Sequence, residues 1–258
     1  MRIGLFQMHI IWENKAANFA KLEAKLQEAA AQKVELLLLP EMSFTGFSMH
    51  TELTKESNLD TVKRVQALAE AYGVAVGFGW VKDCGEKAEN HYTVVDKSGA
   101  VISDYAKIHP FSYSGEDLKF RGGDKLTGFE LAGIPFSGFI CYDLRFPEIF
   151  QAVSDKAHVI LLPADWPAKR SGHWKALLPA RAVENQVYIL AINCVGQIDD
   201  LYYSGDSCVI NPDGQVHQML SDEEGLLIYD LQDDVEQYRS NFPVKKDRRE
   251  SLYKEWIS

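Results

Sequence analysis

Four leucines in succession, Leu36–Leu39, run straight into Pro40-Glu41. Successive side chains of a strand point to opposite faces of its sheet. A strand over Val34–Leu39 therefore carries leucine on both faces, and its sheet must be covered on both. This excludes a sheet with one face open to water. Similar apolar strands are expected at Val74–Trp80, Phe136–Ile140, His158–Leu162 (stopping at Pro163), Val187–Cys194 and Leu226–Tyr229, and Arg2–Met8 alternates like a strand with Ile3 and Leu5 on one face. Helical segments lie between them. Asn14–Gln32 is Ala-rich with Leu22 and Leu26 four apart. Asp60 is a candidate cap for a helix that places Val62, Val65, Leu68, Ala69 and Tyr72 on one face and ends at Gly73. Further helices are expected at Phe146–Ser154, at His173–Gln186 and, briefly, at Val235–Arg239. Two hairpins have clear turn chemistry: Lys97-Ser98-Gly99-Ala100 between Tyr92–Asp96 and Val101–Tyr105, and Asn211-Pro212-Asp213-Gly214 between Ser207–Ile210 and Val216–Leu220. The alternation gives an α/β chain with a mixed sheet, or two sheets, covered by helices. No composition shift marks a linker, so residues 1–258 read as one domain, with 243–258 as a charged tail.

Composition narrows the function. A net charge of −10 argues against nucleic acid or an anionic membrane as partner, although a local pocket can differ in sign from the whole. The four-leucine run is far too short to cross a bilayer, and the N-terminus lacks the apolar core of a secretory signal. Cys84, Cys141, Cys194 and Cys208 are scattered, with no zinc-site spacing and no disulfide framework. Gly77-Phe78-Gly79 is not continued to a third glycine at the dinucleotide spacing. The expectation is a soluble cytoplasmic protein with no metal and no organic cofactor.

Three strands end in chemically loaded positions: Val34–Leu39 before Glu41, Val101–Tyr105 before Lys107, and Phe136–Ile140 before Cys141. Sites in α/β sheets gather beyond the carboxyl ends of strands. A thiol on a tight strand-to-helix turn, with Pro147 suited to the first helical turn, needs a base to become a thiolate. Glu41, next to the leucine run, can serve as that base, and the Lys107 ammonium can hold charge on a carbonyl oxygen. Each residue alone has an ordinary alternative: a buried core cysteine, a solvated glutamate, a solvated lysine. The segment from Ile108 to Lys125 is a long, loop-like candidate functional region.

Leu-Leu-Pro-Glu41-Met-Ser-Phe-Thr-Gly-Phe, Tyr-Ala-Lys107-Ile-His-Pro-Phe and Ile-Cys141-Tyr-Asp-Leu-Arg-Phe-Pro-Glu resemble, in order, the three signature blocks of the nitrilase (carbon–nitrogen hydrolase) superfamily. Pro179–Tyr188 and Gly205–Gly214 extend the resemblance over nearly the whole chain. Trp166-Pro167 and Ser171-Gly-His-Trp174 are most similar to the omega-amidase branch, which hydrolyses the terminal amide of α-ketoglutaramate and α-ketosuccinamate. The resemblance implies a four-layer α-β-β-α sandwich, a homodimer, Cys141 as nucleophile, Glu41 as general base and Lys107 as oxyanion stabiliser. It also implies an accessory carboxylate, which falls on Glu116 or on its neighbour Asp117. The Tyr142 backbone N–H would be a second oxyanion donor.

Arg145 has two readings: it grips a substrate carboxylate, with Phe44 and Trp166 as pocket walls, or it pairs with Asp143 or Glu148 to brace the turn. Two rival functions stay open. One is a Cys–His hydrolase with His109 as base. The other is a non-catalytic protein of this fold that binds partners, and an intact Glu41, Lys107 and Cys141 weighs against it. Carbamoylase and nitrilase chemistry would share the same residues.

Overall fold

The computed structural model describes residues 1–257. In chain order the elements are β1 (Arg2–Gln7), α1 (Lys15–Ala31), β2 (Leu36–Leu38), α2 (Thr51–Thr54), α3 (Asp60–Tyr72), β3 (Ala75–Cys84), β4 (Lys87–Val95), β5 (Val101–Ala106), α4 (Glu116–Lys119), β6 (Gly128–Leu131) and β7 (Ile134–Gly138). They continue with α5 (Pro147–Val153), β8 (Val159–Ala164), α6 (Ser171–Asn185), β9 (Tyr188–Asn193), β10 (Val195–Ile198), β11 (Leu201–Ile210), β12 (Val216–Ser221), β13 (Gly225–Asp230), α7 (Val235–Asn241) and α8 (Glu250–Ile257).

The strands form two mixed sheets. One runs β13-β1-β2-β3-β4-β5; the other runs β10-β11-β9-β8-β7-β6, with β12 on β11. The leucine run shows why both are covered twice over. Leu36 and Leu38 belong to the core between the sheets, with Ile3, Leu5, Phe136, Leu161 and Leu190. Leu37 and Leu39 face the other way, under Phe19, Leu22 and Leu26 of α1 and Val62, Val65 and Ala69 of α3. On the far side, Trp174, Leu178 and Ala182 of α6 and Phe150 of α5 join the core around the second sheet. The result is the four-layer α-β-β-α sandwich.

Several expected elements differ in detail. The strand at the leucines is Leu36–Leu38, because Glu35 turns its carboxylate to the Arg2 N–H, 2.7 Å away. Asp60 does not cap α3. The cap position is Leu59, in a left-handed conformation, and the Glu56 carboxylate accepts the Thr61 N–H instead. Strand β8 does not stop at Pro163 but runs through it. The Phe139 N–H donates to Leu161 O, so Pro163, two residues on, turns its missing N–H toward the β7 side, where β7 has already ended at Gly138. Strands β6 and β10 went unread, being short and half polar. The segment after Ile108 holds a 3₁₀ turn at Ser112–Ser114 and the single-turn α4. The tail is ordered into a 3₁₀ turn (Val244–Asp247) and α8. Lys245 donates to Ser154 O and Arg248 to Gln151, which ties the tail's first half to the α5 region of its own chain. Ser258 lies outside the described residues.

Candidate active site

The carboxyl ends of β2, β5, β7 and β8 converge on one point. Beyond β2 the chain reverses through Met42 (φ 40°) and is pinned to β3: the Ser43 N–H donates to Gly79 O, and the Gly79 N–H donates to Ser43 Oγ. A Cβ at Gly79 would lie 2.3 Å from the Met42 nitrogen, so only glycine lets this loop press against the strand. Glu41 is thereby held fully buried.

Lys107 follows β5 and is 1% exposed. Its Nζ lies 2.8 Å from Glu41 Oε1 and 2.9 Å from Glu116 Oε2. Glu116 opens α4, is fully buried, and also accepts the Phe111 N–H. Asp117, by contrast, is exposed, and its carbonyl accepts from Lys87. Asn90 of β4, which sequence reasoning missed, donates to Glu41 Oε1 at 2.7 Å and to Glu116 Oε1 at 3.3 Å. The Asp165 N–H, beyond β8, donates to Glu41 Oε2 at 2.9 Å. A strand asparagine is the one advance signal for Asn90, since that side chain is poorly suited to a strand without a partner.

Cys141 begins a 3₁₀ turn, Cys141–Arg145, in a left-handed conformation (φ 47°). A non-glycine residue there costs on the order of 1 kcal/mol, and such outliers gather at functional sites. Asp143 holds the turn: it accepts from the Ile140 N–H, the Tyr105 hydroxyl and the His109 N–H. Burial pushes the Cys141 thiol well above its usual range, and the nearby Glu41 carboxylate adds to this against the pull of Lys107. The resting group is therefore a thiol beside a carboxylate. Burial pulls the Lys107 ammonium down, but Glu116 and Glu41 outweigh it, and Lys107 stays firmly protonated. Burial raises the Glu116 carboxyl despite the Lys107 charge, and Glu41 adds to the rise.

Cys141 and Lys107 open into a cavity of about 250 Å³ walled by Phe47, Tyr142, Arg145, Asp165 and Trp166. The Arg145 guanidinium lies 4.7 Å from the Trp166 ring and 5.7 Å from the Tyr142 ring. Its one polar side-chain partner is His173 Nδ1, at 3.3 Å. Among the described residues it forms no ion pair, so it does not brace the turn through Asp143 or Glu148. Phe44 is a correction. It is buried under α1, stacked on Phe19 at 4.0 Å and edge-on to Phe78, and does not reach the cavity. Gly46 (φ 71°) turns the chain between the two aromatics of that loop, and Phe47 takes the wall position, 5.3 Å from Lys107 Nζ. His109 is turned away from the role of base: its Nδ1 lies 2.7 Å from Asp143 and its ring stacks on Phe146.

Known proteins resemble this chain in sequence and in fold. The chain is 35% identical over 257 residues to the 2-oxoglutaramate amidase of Bacillus subtilis (97% of this chain, 98% of the relative). It is 32% identical to the omega-amidase YafV of Escherichia coli K12 (97% of each). A CN-hydrolase superfamily protein from Xanthomonas campestris, with an arsenic adduct in its active site, superposes with a TM-score of 0.90 at 29% identity (96% of this chain, 97% of that one). A variant of the amidase from Nesterenkonia sp. AN1, with acrylamide added at its active-site cysteine, superposes with a TM-score of 0.87 at 27% identity (99% of each). The sequence pattern of the carbon-nitrogen hydrolase family matches residues 2–240, and the chain belongs to that family.

Proposed function

We propose that this protein is an omega-amidase, a thiol amidohydrolase that releases ammonia from the terminal amide of a small carboxylate-bearing substrate such as α-ketoglutaramate or α-ketosuccinamate. The observation that carries the substrate class is Arg145, a half-buried guanidinium with no carboxylate partner among the described residues, on the wall of the cavity that holds Cys141. An unpaired cation out of bulk water favours an anionic ligand, and guanidinium binds carboxylate with two parallel hydrogen bonds. Lys169 and Arg170 line the same cavity and add positive charge there in a chain of net charge −10. The names of the relatives from Bacillus subtilis and Escherichia coli support the same reading.

The cycle uses the groups already in contact. Glu41 takes the Cys141 proton as the sulfur attacks the amide carbon. Lys107 and the Tyr142 backbone N–H hold the oxyanion. Glu41 returns the proton to the departing nitrogen, the C–N bond breaks, and ammonia leaves a thioester on Cys141. Glu41 then deprotonates water, which attacks the thioester and frees the acid and the thiol. Glu116 fixes Lys107 against Glu41. Tyr142, Trp166 and Arg145 bind the substrate, and no cofactor takes part. Residues 1–258 act as one hydrolase domain, and we read the protein as a cytoplasmic homodimer. No described helix is long and apolar enough to cross a membrane.

The test is ammonia release from α-ketoglutaramate beside glutamine, asparagine, a simple nitrile and a carbamyl amine. The keto-acid amide is expected to lead by at least about tenfold in kcat/KM, and Cys141→Ala to abolish turnover with all of them. Arg145→Lys is expected to raise KM for the keto-acid amide by about tenfold or more, since lysine cannot form the paired contact. A lead by the nitrile or carbamyl amine, or an unchanged KM, overturns the substrate assignment. Ammonia release from none of the panel favours a non-catalytic binding protein.

A further inference from the structure

Three buried carboxyl groups, Glu41, Glu116 and Asp165, share one ammonium, that of Lys107. With all three ionised, the cluster would carry two uncompensated negative charges out of water, which is strongly unfavourable. The hydrogen-bond donors are shared unevenly among the three. Glu41 accepts from Lys107, Asn90 and the Asp165 N–H. Glu116 accepts from Lys107, Asn90 and the Phe111 N–H. The two carboxyl oxygens of Asp165 accept from no N–H or O–H group among the described residues, although Asp165 is 5% exposed and lines the cavity. The Cys194 thiol, a weak donor, also faces it. A carboxylate without donors is the costly form and a carboxylic acid the cheap one. The main chain here is fixed: the Asp165 N–H is held by Glu41, and the next residue, Trp166, is held by Asn193 through both its N–H and its carbonyl.

We infer that Asp165 works as a neutral carboxylic acid, and that its ionisation sets the alkaline limit of the hydrolysis at Cys141. The inference rests on the amidase reading above. Asp165 is a positioning residue that acts on Glu41 and Cys141 through charge. The groups that face it are Glu41 beyond β2, Lys107 beyond β5, Cys141 beyond β7, Cys194 beyond β9 and Tyr203 of β11. Of these, Lys107 is the one cation, and Glu41 and Glu116 already use it. Loss of the Asp165 proton adds a negative charge where the thiolate and the oxyanion must form, so the rate falls as pH rises through that ionisation. Burial, with the Glu41 charge, holds the Asp165 carboxyl well above the usual carboxylate range, in agreement with the donor count.

The experiment is the pH profile of kcat/KM for α-ketoglutaramate, from about pH 6 to about pH 10, in the wild type and in Asp165→Asn, each normalised to its own plateau. The asparagine has the same shape and stays neutral throughout. Its alkaline limb is expected about one pH unit or more above the wild type's, a tenfold gain in relative activity at the alkaline end. Superimposed limbs overturn the inference. Infrared difference spectra supply a readout that needs no turnover. The carbonyl stretch of a protonated carboxylic acid is expected in the wild type at neutral pH, absent in Asp165→Asn, and lost in the wild type in step with the alkaline limb. Its absence from the wild type at neutral pH overturns the inference even if the amide proves the wrong substrate. If Asp165→Asn does not fold, the wild-type band followed against the wild-type limb decides alone.

Discussion

Strand β4 carries two charged networks, one on each face, and they behave oppositely. Toward the solvent side, Glu89 lies 2.9 Å from one ring nitrogen of His91, whose other ring nitrogen is 2.9 Å from Asp104, and Arg121 caps Glu89 at 2.7 Å. Toward the interior, Asn90 joins Glu41 and Glu116 around Lys107, and Tyr92 donates to Leu39 O. Alternation along one strand separates the two sets. The outer network keeps access to water and the inner one does not: Arg121 is 56% exposed at its side chain, Lys107 is 1%. Burial pushes the Glu89 carboxyl up, but hydrogen bonds from His91, Cys84 and Arg121 outweigh it and hold it down at about 2. Inside, burial wins, and Glu116 and Asp165 are both pushed up despite Lys107. Similar groups thus make a solvated brace on one face and, on the other, a dehydrated cluster whose carboxyls are pushed above their usual range. The difference is dehydration.

The largest expected effect comes from breaking the inner network. Lys107→Met strips the cation from two buried carboxylates and removes the proposed oxyanion donor. Amide turnover should fall by at least about a hundredfold, and unfolding free energy by about 3–5 kcal/mol. Ammonia release and urea denaturation read the two separately. A stability loss no larger than that of Arg121→Ala would erase the distinction between the faces.

A second prediction tests which aromatic of the Glu41 loop belongs to the core. Phe44→Ala should cost about 3–5 kcal/mol of stability with KM unchanged, as for a large ring deleted from a packed interior. Phe47→Ala should raise KM with a smaller stability loss. Reversed outcomes would return Phe44 to the cavity wall.

The smallest effect is expected on the outer face. Glu89→Gln should leave kcat and KM as they are and cost about 1 kcal/mol or less near neutral pH. The folded-state Glu89 pKa lies below its ordinary 4.5, so its contribution is present above 4.5 and is lost as pH falls toward about 2. Urea midpoints of wild type and variant should therefore converge over that window. Constant separation down to the lower limit would show that the charge of Glu89 has no part in the effect.

Much of this was legible in the chain. Glu41, Lys107 and Cys141 each follow a strand directly, and a strand's carboxyl end is where an α/β sheet presents its chemistry. The left-handed conformation of Cys141 agrees with a tight turn there, although no local signal announced it. Asn90 and Asp165 were not readable as parts of the cluster. Asn90 lies 49 residues from Glu41 and Asp165 lies 124, so neither belongs to a local pattern. The choice of Phe44 over Phe47 failed for a similar reason. A loop of Phe-Thr-Gly-Phe offers two rings, and the Gly46 turn, not composition, sends one under α1 and the other to the cavity.

The sequence by itself determined the layered fold and the placing of Glu41, Lys107 and Cys141 at strand ends. Apolar runs with leucine on both faces demand two coverings, and residues fixed to strand ends travel with the strands. Only the tertiary structure decided the protonation and partnership of those groups. It set Glu116 rather than Asp117 against Lys107, left Arg145 without a counter-ion among the described residues, and enclosed Asp165 beside Glu41 with no N–H or O–H donor among them. Those properties depend on dehydration and on neighbours far away in the chain. Both arise when two sheets close over the strand ends, and neither is encoded in any one stretch.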